Sequence, residues 1–278
     1  MKPEEITDQN YYGQQASYAY LTNSQRKTFC ECQARWLASI LGEWTEPQKD
    51  VYFHGQYVDV ALTESPAAFA KWSERHQAKI YGRNGKKYKV FLDLDKAINT
   101  VRNEPLLMEY LTGEPQTIIA IEDFHGVPFK CKLDCLNLEK GFITDLKTTA
   151  DLYMEQWSPV FMERVSYIDL YSYWTQAALY KEAVWVKYER DLPFYIVAAE
   201  KKPKHDDDSY VNRQIYHLDD TIYLENEWRN AVTTMLEMQR IKEAAMDPHE
   251  VIRCEKCSYC ISTKVLTEPI SIKPKMRF

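Results

Sequence analysis

Apolar and polar positions change period along the chain. Ser24 is a capping residue, and after it Phe29, Trp36, Leu37 and Ile40 fall on one face of a helix predicted to run to about Leu41. Further helices are predicted over 53–63, over 66–77 and from Leu94 to Leu111, and Tyr81–Lys89 reads as a basic, turn-rich loop between them. The period then shortens to two. Gln116–Glu122 is an isoleucine-rich run followed by a turn region at Asp123–Val127. After it, Phe129, Cys131 and Leu133 alternate with Lys130, Lys132 and Asp134, the pattern of a strand with one face in the core. Leu138–Gly141 reads as a turn into a third strand, Phe142–Lys147. A helix over Tyr167–Val186, strands at Phe194–Ala199 and Val211–His217, and a long helix over 219–246 complete the series. Helices, a three-stranded antiparallel meander, a helix and further strands predict a mixed α/β fold with helical additions. No repeat or low-complexity segment interrupts it. Residues 1–278 are therefore expected to form one domain, with a polar, tyrosine-rich arm at 1–23 and a cysteine-rich segment at 247–278.

Composition narrows this picture at a few points. Hydrophobic residues make up 45% of the 278 positions and charged residues 27%, which fits a packed chain and excludes extensive disorder. Eight glycines leave no glycine-rich phosphate loop. The net charge of -6 argues weakly against a polyanionic partner, although the placement of basic residues matters more than their sum. The polar start, Met1-Lys2-Pro3-Glu4-Glu5, is not a signal sequence, and no apolar run approaches the length of a membrane span. A cytoplasmic location is the expectation, and the seven cysteines are then expected as thiols or metal ligands rather than disulfides.

Chemistry concentrates at Asp134 and at Asp145-Leu146-Lys147. Two neighbouring antiparallel strands joined by a short turn bring Asp134 beside Asp145, and two adjacent carboxylates repel unless a cation lies between them. A hard divalent ion, Mg²⁺ or Mn²⁺, suits such an oxygen cage. Strand alternation puts Asp145 and Lys147 on one face, while the Leu146 carbonyl can also reach the ion. Lys147 can then hold and activate a water for attack on a phosphodiester. An isolated Asp-x-Lys is more often surface charge. Here it closes an apolar strand, with Asp134 upstream and Thr148-Thr149 following at once.

The run Phe129-Lys130-Cys131-Lys132-Leu133-Asp134, with Ile143-Thr144-Asp145-Leu146-Lys147-Thr148-Thr149, resembles the RecB-like branch of the PD-(D/E)XK nucleases. Gln176-Ala-Ala-Leu-Tyr180 matches that branch's Gln-x-x-x-Tyr motif, whose two residues share a helix face. Gly55-Gln-Tyr-Val-Asp59 occupies the place of a Gly-x-x-x-His motif, with Asp59 where the branch has histidine; an oxygen ligand suits Mg²⁺ no less. The resemblance spans roughly residues 20–264 and is nearest to phage and prophage exonucleases similar to the RecE (exonuclease VIII) nuclease domain. It implies a restriction-endonuclease-like core, a mixed sheet flanked by helices. It also implies Mg²⁺-dependent resection of linear double-stranded DNA ends, 5′ to 3′, for recombination with a RecT-like single-strand annealing protein, and a ring-shaped homo-oligomer, a tetramer by likeness. In this reading Asp59, Asp134, Asp145 and the Leu146 carbonyl hold the metal, Lys147 activates water, Gln176 orients Lys147 or a phosphate, and Tyr180 buttresses the helix. Other RecB-like nucleases of repair or CRISPR adaptation share these residues. A catalytically inactive DNA-binding module is the reading from outside enzymes.

Cys254, Cys257 and Cys260 place three thiols within seven residues, a spacing that metal binding explains best. A closed site needs a fourth ligand, and Cys32 is the candidate. Several RecB-like nucleases staple their two ends with an iron–sulfur cluster on one N-terminal and three C-terminal cysteines. The resemblance thus implies a 4Fe–4S cluster at Cys32, Cys254, Cys257 and Cys260, with the C-terminal segment packed on the N-terminal helix. The tight final spacing leaves zinc, or an empty thiol cluster, open. Arg83, Lys86, Lys87 and Lys89 form the densest basic loop and are the candidate contacts to DNA backbone, against the plainer reading of a solvated loop.

Overall fold

The computed structural model describes residues 1–47, 49–266, 268–269 and 271. Among the described residues a short 3-10 turn (Pro3–Glu5) and eight α-helices precede the sheet: α1 (Gln14–Ala19), α2 (Asn23–Glu31), α3 (Gln33–Leu41), α4 (Asp50–Thr63), α5 (Pro66–Arg75), α6 (Gln77–Ile80), α7 (Lys89–Arg102) and α8 (Pro105–Tyr110). Strands β1 (Glu114–Phe124), β2 (Val127–Asn137) and β3 (Phe142–Thr149) follow, then a small hairpin of β4 (Gln156–Ser158) and β5 (Glu163–Val165). The rest comprises α9 (Tyr167–Leu170), α10 (Tyr173–Tyr188), β6 (Phe194–Glu200), β7 (Arg213–Leu218), α11 (Thr221–Glu243) and α12 (Ser258–Ser262).

The five long strands form one mixed sheet in the order β1-β2-β3-β6-β7. Neighbours are antiparallel except β3 and β6, which run parallel and are joined by the crossover through α10. Both faces of the sheet are covered, and β6 shows it residue by residue. Phe194, Ile196 and Ala198 pack into one core with Phe29, Trp36 and Leu37 of the N-terminal helices, Leu179 of α10 and Met235 of α11. Val197 and Ala199 pack into the other with Tyr57 of α4 and Phe91 and Leu94 of α7. That is the near-continuous apolar run expected of a strand buried on both sides. The predicted mixed α/β core is therefore present, helices lying on either side of the sheet.

Several boundaries differ from the sequence expectation for identifiable reasons. The helix expected over 24–41 is two helices, because Cys32 is extended (φ -165°, ψ 107°) and caps α3 through its own thiol. The helix expected from Leu94 to Leu111 starts at Lys89 and breaks at Asn103–Glu104, where Pro105 opens α8. The helix expected over 167–186 is split at Ser172, which adopts a left-handed conformation (φ 53°) between α9 and α10. The polar arm expected at 1–23 packs onto the sheet. Ile6, Tyr11, Ala16 and Tyr20 form a small core against Ala120, and Leu21 bridges to Phe129 at the sheet. No described helix is long and apolar enough to cross a membrane.

Candidate active site

The site forms where the sheet opens. β2 and β3 pair through Asn137–Phe142, Leu136–Ile143 and Cys135–Thr144, and the ladder ends there. At the next positions a side chain replaces the backbone partner, and the Leu146 amide donates to Asp134 Oδ2 at 2.8 Å. Asp134 is thereby locked against the segment that carries Asp145 and Lys147. β3 continues its pairing on the other side with β6, where Asp145 stands opposite Ile196 and Lys147 opposite Ala198. The strand that bears the candidate chemistry is thus fixed from both edges.

Asp145 is buried. Gln176 Nε2 on α10 donates to its Oδ1 at 2.7 Å, and the Lys147 ammonium is ion-paired with its Oδ2. Asp59 enters from α4, whose residues pack on β2 and β3. Its Oδ2 accepts from Gln116 Nε2 at 3.0 Å, and its Oδ1 is buried with no hydrogen-bond partner among the described residues. Burial raises Asp59 to about 6, with Lys147 lowering it and Asp145 raising it. Burial, then the charges of Asp59 and Asp145, push Asp134 well above the carboxylate range. Burial opposes a charge on Lys147, but Asp145 and Asp134 outweigh it and hold the ammonium above the usual lysine range. Asp59 and Asp134, both raised by burial and by neighbouring carboxylates, mark a site where added positive charge would be favourable.

The structure brings together Asp59, Asp134, Asp145, Leu146, Lys147 and Gln176. Tyr180 lies one turn along α10, its ring against Phe194 (centroids 6.4 Å apart), and lines a cleft with Tyr11, Asn23, Lys130 and Lys132. It donates no hydrogen bond to the carboxylates among the described residues and acts as packing for the helix that carries Gln176.

The basic loop is divided. Lys87 is bound to Asp95 (2.6 Å) and to the Tyr57 hydroxyl (3.0 Å), and Lys89 to Asp93 and Asp206 (3.0 Å each). These two lysines fasten the loop to α7 and to the segment after β6. Arg83 and Lys86 are exposed and form no ion pair among the described residues.

Four contributors escaped the sequence reading. Gln116 holds Asp59. Tyr173, at the start of α10, has the Lys147 ammonium over its ring at 5.0 Å and the Lys27 ammonium at 5.4 Å. Lys27 on α2 also donates to the Tyr171 carbonyl, and burial, then the nearby Lys147 charge, lower it to about 8. Tyr12, from the N-terminal segment, lies within electrostatic reach of Lys132, Asp134 and Asp59. None belongs to a short motif. Lys27 and Tyr171 are 144 positions apart, so only the fold could join them.

Residues 22–263 match the family model of a PDDEXK-like domain of unknown function (DUF3799). The chain belongs to this PDDEXK-like family. A crystal structure from Eubacterium rectale, of a protein named "Putative exonuclease", superposes with a TM-score of 0.83 at 25% sequence identity, covering 98% of this chain and 97% of that one. No curated protein matches the chain. Family and neighbour agree with the fold expected from the motifs, the PD-(D/E)XK nuclease fold.

Proposed function

We propose that this protein is a divalent-metal-dependent deoxyribonuclease that digests linear double-stranded DNA from its ends. The observation that carries the proposal is the cluster of Asp59, Asp134 and Asp145 beside Lys147 on a sheet of nuclease topology. The donor set fits a hard cation. It is all oxygen, Asp59 Oδ1 has no partner among the described residues, and Asp145 Oδ2 already faces a cation in the Lys147 ammonium. Asp59, Asp134, Asp145 and the Leu146 carbonyl would hold Mg²⁺ or Mn²⁺. Such an ion, when bound, neutralises phosphoryl charge and lowers the pKa of a bound water.

The chain's own groups do the rest. Gln176 fixes the rotamer of Asp145, and the Leu146 amide fixes that of Asp134, so neither carboxylate must reorganise. Lys147, held above the usual lysine range by Asp145 and Asp134, is placed to donate hydrogen bonds to the attacking water and to the phosphoryl oxygens as charge builds on them. Water oxygen bonds to phosphorus and releases a proton to solvent, the P–O bond to the leaving strand breaks, and the departing oxygen takes up a proton from solvent. Tyr173 confines the Lys147 ammonium by a cation–π contact. Lys27, lowered to about 8 by burial and by the Lys147 charge, shares the Tyr173 ring with Lys147 and would add positive charge for the scissile strand while protonated. Arg83 and Lys86 supply backbone contacts farther out.

Action on ends, and polarity from 5′ to 3′ as in RecE-like resection for single-strand annealing, rest on the resemblance and on the exonuclease name of the Eubacterium rectale protein. A RecT-like annealing partner and a homo-tetrameric ring belong to the same reading. The test compares linear with closed circular duplex DNA, in Mg²⁺ or EDTA, for wild type and Lys147→Ala. Loss of linear DNA alone, dependent on Mg²⁺ and on Lys147, supports an end-dependent exonuclease. Cleavage of circles supports an endonuclease of the repair or adaptation kind, and no cleavage of either supports a DNA-binding module.

A further inference from the structure

Four thiols meet where the α2–α3 junction faces the segment that follows α11. Cys254, Cys257 and Cys260 are joined by Cys32, 228 residues upstream of Cys260, and all four are free of disulfides. Their Sγ atoms all lie within 4.8 Å of one another. Cys32 and Cys260 are 3.5 Å apart, and Cys254 and Cys260 3.9 Å.

These separations discriminate between metal centres. The thiolates of a 4Fe–4S cubane bind four different irons and are carried outward from one another, to about 6 Å. A single ion with metal–sulfur bonds of about 2.3 Å at tetrahedral angles sets its sulfurs about 3.8 Å apart. The Cys32–Cys260 and Cys254–Cys260 separations match the second arrangement, and no pair reaches the spacing of the first. The iron–sulfur cluster implied by the resemblance therefore does not fit these residues. We propose that Cys32, Cys254, Cys257 and Cys260 hold one structural zinc ion in a closed tetrahedral site.

The surroundings are built for thiolates bound to one ion. Each of three sulfurs accepts the amide three residues ahead: Arg35 N to Cys32 at 3.4 Å, Cys257 N to Cys254 at 3.3 Å and Cys260 N to Cys257 at 3.5 Å. Such donors orient the ligands and stabilise the charge left when each thiol releases its proton to solvent on binding. The extended backbone at Cys32, which interrupts the predicted helix, is the conformation that turns this thiol toward the other three. Backbone bonds run alongside, Ala34 N to the Ile252 carbonyl at 3.1 Å among them. Four thiolates fill a tetrahedral shell and leave no open position. The ion's role is to fasten the α2–α3 junction to the C-terminal segment, not to take part in hydrolysis.

The test is metal and sulfide analysis of full-length protein purified anaerobically from cells supplied with both iron and zinc. The expected result is one zinc per chain, no inorganic sulfide and no broad visible absorption, with Co²⁺ replacement giving the spectrum of a tetrahedral thiolate complex. Cys32→Ser and Cys257→Ser should lose the zinc, while Cys30→Ser, altering an exposed thiol outside the cluster, should keep it. Iron with stoichiometric sulfide in the wild type would overturn the proposal, as would wild-type protein with four reactive thiols and no metal, or loss of zinc from Cys30→Ser alone.

Discussion

Gln176 makes one contact that should matter out of proportion to its size. Its amide donates to Asp145 Oδ1 at 2.7 Å, and both side chains are buried. Gln176→Met keeps the volume and the helix but leaves a buried carboxylate oxygen without that donor. A hydrogen bond to a charged group contributes about 1.5–3 kcal/mol, and losing a partner that orients a metal ligand costs about 10–100-fold in metal affinity or activity. Two readouts follow. Thermal unfolding in EDTA should show the variant destabilised by about 1–3 kcal/mol. Digestion of linear duplex across a Mg²⁺ titration should show the half-activating concentration raised about tenfold or more, with part of the rate recovered at high Mg²⁺. If Gln176→Met instead matched the wild type in both melting and Mg²⁺ dependence, Gln176 would serve packing alone and its role in orienting Asp145 would be refuted.

Other expectations are sharper in sign than in size. Asp59 has its pKa raised from 3.8 to about 6, so the stability it contributes is full at low pH and is lost as pH rises through about 6. In EDTA, wild type should lose melting temperature relative to Asp59→Asn between about pH 4 and pH 7, and Mg²⁺ should restore more at the upper end than at the lower. Replacing both Arg83 and Lys86 with alanine should weaken DNA binding at low salt and make the salt dependence shallower, by up to about 0.9 in log–log slope per lost phosphate contact; an unchanged slope places them in solvent. Lys27→Met should lower the rate of digestion about tenfold with little change in the melting temperature. An unaltered rate would confine Lys27 to its contacts with Tyr171 and Tyr173.

The sheet and the gathering of Asp134, Asp145 and Lys147 were legible because both are written locally. Alternation at Phe129–Asp134 and the Asp145–Lys147 triplet fix two strands, and the four-residue spacing of Gln176 and Tyr180 fixes a helix face. What the sequence concealed depends on contacts between distant segments. Gln116 reaches Asp59 across 57 positions, and Lys27 reaches Tyr171 across 144. The break at Cys32 was hidden for a similar reason, since the flanking residues favour a continuous helix and only the thiol cluster, assembled from the far end of the chain, opposes it. The basic loop misled in a different way. Four cations in seven residues look like one polyanion-binding surface, yet Asp95, Asp93 and Asp206 take up two of them. Residues 1–22 looked polar by composition, but Ile6, Tyr11, Ala16 and Tyr20 suffice to bind them to the sheet.

The most direct test of the account is the hydrolysis of linear duplex DNA by Asp145→Asn beside wild type, in Mg²⁺ and in EDTA, with folding verified by circular dichroism. The account predicts Mg²⁺-dependent digestion by the wild type and a loss of at least about 10²–10³-fold in the folded variant. Full Mg²⁺-dependent digestion by Asp145→Asn would contradict it, because the carboxylate at the centre of the site would then be dispensable.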